Sequence, residues 1–233
     1  PTYVYSTQTI ERHVRVLKQG LADLDHRVCF AIKANGNPSI LRLLKNLGCG
    51  FDAVSGGELA LALSVGADPR EIIFSGVGKT DREIAQALDA QVLYLTIESM
   101  EEFEAVARIA VERGVVAAVA IRINPDVDAK THPHIATGLK ESKFGVAIPE
   151  AFAIVERALA CASIRCVGIT CHIGSQITRL SPFVEAAEQV AAFARKAIAL
   201  GVPLQFVGIG GGLGVPYADE SPPTPDAYGR AIA

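Results

Sequence analysis

Residues 29–38 read CFAIKANGNP, an apolar run that ends at a single lysine, Lys33, just before a turn rich in Asn, Gly and Pro. This pattern is typical of a buried strand that gives way to a loop. In a parallel α/β sheet, the ends of the strands are where side chains meet ligands. A lysine amine in such a place is a nucleophile that forms Schiff bases with carbonyl compounds. The alternative is a strand-end lysine that reaches into solvent, as most lysines do.

The same succession of apolar strand and amphipathic helix repeats along the chain, which predicts βα units around a parallel sheet. Strands are predicted at 28–33, 51–54, 72–75, 92–96, 117–123, 166–171 and 205–209. Helices are predicted at 9–20, 38–47, 56–65, 81–89, 99–113, 149–161 and 181–200. Two of these helices are expected to begin with a capping box, formed by Ser55 with Glu58 and by Ser99 with Glu102.

Seven strands in this order indicate a (β/α)8 barrel of the TIM type that is truncated before its last strand. An open doubly wound sheet explains the strand count equally well, but such a sheet binds ligand mainly at one switch point. Here ligand-type residues follow strands from the first to the last, which is typical of a barrel. The tail from Asp219 onward is expected to be a loop followed by the start of a helix.

The composition fits one cytoplasmic domain. The 233 residues are 50% hydrophobic and carry a net charge of −3, which gives no basic surface for nucleic acid. No apolar run is long enough to cross a bilayer. Five cysteines, an odd number, lie mostly in apolar segments and are expected to be reduced; none has zinc-ligand spacing. The first residue is Pro1, so the sequence is expected to be a piece of a longer chain.

Three consecutive glycines, Gly210, Gly211 and Gly212, follow the last predicted strand. Such a turn can bring several backbone N–H groups close to an anion, and barrels commonly bind phosphate after strands seven and eight. The alternative is a tight turn that needs flexibility. The spacing does not match a dinucleotide fingerprint. Residues 75–80, SGVGKT, end like a P-loop but lack its leading glycine, so no ATP site is predicted there.

Residues 171–176, CHIGSQ, end the sixth predicted strand. His172 could stack on an aromatic ring, act as a base or be structural, and no second histidine is spaced to share a metal. The Ser175 hydroxyl suits a phosphate oxygen. Asp52 and Arg122 end strands two and five, although each alone could be an ordinary surface charge. Together with Lys33 and the glycines, this set suits a phosphorylated aromatic aldehyde, which points to pyridoxal phosphate.

With these residues the chain resembles the barrel domain of the diaminopimelate decarboxylases. These enzymes belong to the alanine-racemase-like (fold-type III) class of pyridoxal-phosphate decarboxylases, together with ornithine and arginine decarboxylases. The segments that carry the resemblance are 30–35, 50–55, 74–80, 122–128, 138–145, 172–176 and 210–213. HIGSQ at 172–176, NPDVD at 124–128 and TGLK at 137–140 resemble the diaminopimelate enzymes more than the ornithine enzymes.

The resemblance implies a role for each position. Lys33 would carry pyridoxal 5'-phosphate covalently, and His172 would stack on the pyridine ring. Ser175 and the three glycines would hold the phosphate. Asp52 and Arg122 match positions beside the cofactor in related decarboxylases. No metal is implied.

The implied reaction is the decarboxylation of meso-2,6-diaminopimelate to L-lysine, the last step of lysine biosynthesis, in a homodimer of the full-length protein. Residues 1–233 would be the incomplete pyridoxal-phosphate-binding barrel domain. The family's acidic partner of the pyridine nitrogen and its C-terminal β-domain would lie beyond residue 233. The isolated piece is therefore expected to bind cofactor poorly and to turn over little. The alternatives are a decarboxylase of arginine or ornithine and a non-catalytic pyridoxal-phosphate-binding homologue.

Overall fold

Strands and helices alternate along the chain in a computed structural model that describes residues 1–128 and 144–233. In these ranges the strands are β1 (Cys29–Ala31), β2 (Gly50–Ala53), β3 (Ile72–Phe74), β4 (Tyr94–Ile97), β5 (Ala117–Arg122), β6 (Ile164–Thr170) and β7 (Phe206–Gly208). The α-helices are α1 (Thr7–Gly20), α2 (Pro38–Asn46), α3 (Gly56–Ser64), α4 (Asp81–Ala90), α5 (Met100–Arg113), α6 (Ile148–Leu159), α7 (Ser181–Ala199) and α8 (Pro225–Ile232). Short 3-10 helices span Ile32–Ala34 and Pro69–Glu71. The TGLK segment and most of 138–145 lie outside the described residues.

The strands form one parallel sheet in which every strand pairs with its neighbours in sequence, in the order β1-β2-β3-β4-β5-β6-β7. A doubly wound sheet would reverse its order at a switch point, and this sheet does not. The sequential order is that of a (β/α)8 barrel, so the prediction of a barrel truncated before its last strand is confirmed.

The pleat of each strand separates two apolar layers. Along β4, Leu95 and Ile97 belong to the large core between the sheet and the helices. Tyr94 instead belongs to a small separate cluster with Ala120 and Val167. Because members of this second cluster come from alternate positions of β4, β5 and β6, it marks the inner face of the barrel.

The first and last helices close the ring of helices. α1 packs against α8, and the two backbones touch where a side chain on Gly229 would overlap the carbonyl oxygen of Gly20. Glycine is therefore required at this crossing. The contact brings the two ends of the described chain together on the outside of the barrel.

Several sequence-predicted details differ in the structure. β1 ends at Ala31 rather than at residue 33, because the chain turns into the 3-10 helix that carries Lys33. The Ser55 hydroxyl does accept from the Glu58 N–H, but the Glu58 carboxylate accepts from Val54 N rather than from Ser55, so the predicted capping box is only half formed.

The Ser99 box fails in the same way, because the Glu102 carboxylate reaches back to the Glu98 N–H at 2.6 Å. Thr80 and Glu83, which were not predicted, make both bonds of a capping box. In both of these cases the glutamate carboxylate accepts from the N–H of the residue before the serine. This bond links the end of the strand to the start of the helix.

All five cysteines are free, as predicted. Among the helices in the described ranges, none is both long and apolar enough to cross a membrane.

Candidate active site

The inner face of the barrel carries a row of polar side chains at the carboxyl ends of the strands. On β2, Phe51 and Ala53 face the outer core, so the pleat turns Asp52 inward. Arg122 ends β5 two residues after inward-facing Ala120, so its side chain lies on the same face of the strand. Because the carboxyl ends of parallel strands meet at one rim, two of the predicted residues are brought to the same place. Asp52 was expected to end β2, but it is the third of the four residues of that strand.

His172 joins this rim from the loop after β6. Its neighbours Cys171 and Ile173 are buried in the outer core, which leaves the imidazole on the inner side. Burial lowers the pKa of His172 to about 4, and the positive charges of Arg122 and Lys33 act in the same direction. The imidazole is therefore neutral at neutral pH, and it lies within electrostatic reach of both cations.

The positive charges of Lys33 and Arg122 also act on Asp52. Burial raises the pKa of its carboxyl group, while the Ser75 hydroxyl and the charges of Lys33 and Arg122 oppose that rise. Within the described residues, its Oδ1 atom is buried and has no hydrogen-bond partner. A buried oxygen of this kind usually has a partner in the functional state of a protein. The unpaired oxygen is consistent with a ligand group that Asp52 would bind.

Two of the three glycines after β7, Gly210 and Gly211, lie directly against His172. The Gly211 N–H donates to Nδ1 of His172 at 3.4 Å, so the neutral ring carries its proton on Nε2. Gly210 has φ 71°, and a Cβ there would lie 2.7 Å from Nδ1. Gly212 has φ 104°, and a side chain there would overlap the carbonyl oxygen of Gly174. Only glycine fits at Gly210 and Gly212, and we call the backbone of Gly210–Gly212 the glycine cradle.

Lys33 and Ser175 are both exposed. Lys33 lies in the 3-10 helix after β1, and Ser175 lies in the loop that also contains His172. His172 accepts a hydrogen bond from the cradle, and the Lys33 charge contributes to lowering its pKa, after burial and Arg122. All the sequence-predicted site residues therefore lie at the carboxyl end of the barrel.

Glu98 is a polar residue of this rim that the sequence analysis did not single out. It follows β4 immediately and its side chain is only 3% exposed. Its Oε2 atom lies 3.1 Å from Nη1 of Arg122 and also accepts from the Gly145 N–H at 3.1 Å. The Arg122 guanidinium in turn lies over the Phe144 ring, 5.1 Å from its centroid. Glu98 therefore holds both the Arg122 side chain and the backbone at Gly145.

Lys79, the lysine of the rejected P-loop match, is held inside the fold. Its side chain is 1% exposed, and its ammonium donates to the carbonyls of Gly76 and Thr96 and to the Glu102 carboxylate. This lysine joins the loop after β3 to β4 and α5. Its ammonium is therefore engaged in the structure and is not directed at a nucleotide.

The donor set fits pyridoxal phosphate. It combines an exposed amine on Lys33, a glycine cradle for an anion, a neutral imidazole beside that cradle and a buried carboxylate oxygen that has no partner among residues 1–128 and 144–233. No cluster of three His, Cys, Asp or Glu side chains that could hold a metal ion occurs in the described ranges. The Lys33 amine is able to bind an aldehyde covalently, and the N–H groups of the glycine cradle are able to bind a phosphate.

The sequence matches a known protein family and two curated relatives. Residues 7–233 match the sequence profile of a family described as pyridoxal-dependent decarboxylase, pyridoxal binding domain. The chain is 49% identical over 232 residues to a diaminopimelate decarboxylase of Pseudomonas aeruginosa and 44% identical to that of Vibrio cholerae; each alignment covers 100% of this chain and 56% of the relative. The chain thus spans about half the length of these curated relatives.

A solved structure superposes on the whole chain. The crystal structure of diaminopimelate decarboxylase from Helicobacter pylori complexed with L-lysine has a TM-score of 0.98 and 44% sequence identity, and the match covers 100% of this chain and 59% of that one. The fold described above and the relative positions of its strand ends are therefore those of a known decarboxylase barrel.

Proposed function

The chain belongs to the pyridoxal-dependent decarboxylase family, and on this premise we propose that residues 1–233 form the pyridoxal-phosphate-binding barrel domain of a diaminopimelate decarboxylase. The proposed reaction converts meso-2,6-diaminopimelate into L-lysine and CO2. The observation that carries the proposal is the similarity over the full chain to a decarboxylase solved with L-lysine. The rim residues support it, since they supply the groups that the cofactor needs.

In this proposal the cofactor is held at both ends by the chain. The Lys33 amine would hold its aldehyde, and the N–H groups of the glycine cradle together with the Ser175 hydroxyl would hold its phosphate. The neutral ring of His172 would pack against the cofactor ring. When bound, pyridoxal phosphate supplies an electron sink for the electron pair that remains when the substrate carboxylate leaves as CO2.

Asp52 and Arg122 would flank the bound cofactor with opposite charges. The buried Asp52 carboxylate would direct its Oδ1 atom, which no other described residue bonds, toward a polar group of the ligand. Arg122 is fixed by Glu98 and would present a positive charge at a constant position. The neutral His172 ring holds a proton on Nε2.

We also propose that the protein works in the cytoplasm as a homodimer. The free cysteines support a reducing compartment, because disulfides are rare in cytosolic proteins. The dimer follows from the family resemblance. Sedimentation of the natural full-length protein tests this part, since a monomer at working concentration would contradict it.

The proposed reaction is tested with the natural full-length protein and pyridoxal phosphate. We expect CO2 and L-lysine from meso-2,6-diaminopimelate, and little or no CO2 from ornithine or arginine at equal concentration. A Lys33→Ala variant should lose the activity. Turnover of ornithine or arginine in preference to diaminopimelate would overturn the substrate assignment, and no turnover of any amino acid would overturn the decarboxylase assignment.

A further inference from the structure

The loops after β6 and β7 are joined backbone to backbone beside the glycine cradle. Ile177 forms an isolated parallel bridge with Leu213. Its N–H donates to the Gly212 carbonyl at 2.8 Å, and its own carbonyl accepts from Gly214 N at 3.0 Å. The position of Gly212, and with it the cradle, therefore depends on how the neighbouring loop is held.

The side chain of Gln176 extends this bridge by one residue. Its Oε1 atom accepts from the Val215 N–H at 3.0 Å, and its Nε2 atom donates to the Val215 carbonyl. A side-chain amide has one acceptor and one donor side, so it can pair with a backbone residue as another peptide would. Gln176 thus binds the far end of the glycine loop through two hydrogen bonds.

Gln176 also has a backbone conformation that is unfavourable for its residue type. Its φ is 58°, in the left-handed region that glycine tolerates and glutamine does not favour. Gln91 has the same φ of 58°, but there the conformation ends helix α4, where a left-handed residue is common. Gln176 ends no helix. Strain of this kind persists where surrounding contacts determine it, and here those contacts are the pairing with the glycine loop.

We infer that Gln176 is the positioning residue of the glycine cradle: its two bonds to Val215 hold Gly210–Gly212 in the shape that binds phosphate. This inference rests on the proposed function, because the cradle is taken to bind the phosphate of pyridoxal phosphate. Gln176 acts through the backbone of the glycine loop and not on the reacting atoms. Its loss should therefore affect the phosphate end of the ligand and spare the aldehyde end.

The test compares Gln176→Gly with Gln91→Gly in the natural full-length protein. Both changes place glycine at a left-handed position, but only the first removes the bonds to Val215. Dissociation constants are measured by absorbance titration for pyridoxal phosphate and for pyridoxal, which lacks the phosphate. We expect Gln176→Gly to weaken the binding of pyridoxal phosphate about tenfold and the binding of pyridoxal less than about twofold. Gln91→Gly should change neither constant.

Equal weakening of both ligands, or unchanged binding of pyridoxal phosphate by Gln176→Gly, would overturn the inference. If Gln176→Gly does not fold, Gln176→Asn replaces it, because asparagine tolerates the left-handed region while its shorter side chain falls short of Val215. The same phosphate-selective loss is then expected. A wild-type protein that binds no pyridoxal phosphate would contradict the proposed function, which is a different outcome from a failure of the Gln176 assignment.

Discussion

Nη1 of Arg122 lies 3.1 Å from Oε2 of Glu98, and the two side chains are 12% and 3% exposed. The pair joins the ends of β5 and β4 at the rim of the barrel. Forming a buried ion pair of this kind carries a desolvation penalty. Removing one partner lowers the free energy of unfolding strongly, because the other charge is then buried without compensation. Arg122 therefore depends on Glu98 for its place in the site.

Replacing Glu98 should destabilise the fold strongly. We expect Glu98→Gln to reduce the free energy of unfolding by about 3 kcal/mol, since the buried Arg122 would lose the charge of its ion-pair partner. Urea unfolding followed by circular dichroism measures the change. The matched control is Glu104→Gln, which breaks the exposed pair of Glu104 with Arg157 and should cost less than about 1 kcal/mol. Similar costs for the two variants would contradict a buried, structurally important Glu98.

His172 should make the stability depend on pH. Its pKa in the folded protein is about 4, below the ordinary value of 6.5. Between these values the unfolded chain binds more protons than the folded one, so stability rises with pH. The contribution is fully present above pH 6.5 and is lost as the pH falls toward 4.

The variant His172→Phe removes this dependence. Relative to it, the wild type should lose roughly 1–2 kcal/mol of stability between pH 7 and pH 5. Unfolding of both proteins without cofactor at the two pH values gives the comparison. Using the difference between the proteins cancels the opposite contribution of Asp52, whose pKa is raised by burial. A difference that stays the same at both pH values would show that His172 is not held neutral by the fold.

The glycine cradle should tolerate a side chain at one position and not at another. Gly212→Ala should lower the free energy of unfolding by at least about 2 kcal/mol, because its Cβ would overlap the Gly174 carbonyl at a positive φ. Gly211→Ala is the control, since a Cβ there meets no atom within 4 Å in the described part of the chain. Thermal unfolding distinguishes the two. Equal melting temperatures for both variants would mean that the loops are not packed as described.

The sequence predicts the barrel and its rim because both follow from local patterns. Apolar runs of strand length, separated by helical segments, determine the element order, and the pleat then decides that Asp52 and Arg122 face inward. The prediction was less accurate at the end of β1. Apolar Ile32 continues the run beyond Ala31, but the chain is already turning there, and hydrophobicity alone does not distinguish the two conformations.

Glu98 was missed because in sequence it looks like one of several acidic residues at the start of α5. Its role depends on Arg122, 24 residues away, and on Gly145, 47 residues away. A usable signal did exist: Glu98 follows the fully buried residue Ile97, and an arginine ends the next strand of the same sheet. Gln176 had no comparable signal, since neither its positive φ nor its bonds to Val215 follow from residue type.

The proposed cofactor site depends most directly on Lys33. Borohydride reduction of the natural protein with pyridoxal phosphate, followed by peptide mapping, tests this dependence. Reduction makes the bond between an amine and the cofactor permanent. We predict that the label is found on Lys33 and is absent from Lys79, whose ammonium is already bonded to Gly76, Thr96 and Glu102. A label on another lysine, or no label on any lysine, would contradict the assignment of this rim as the cofactor site.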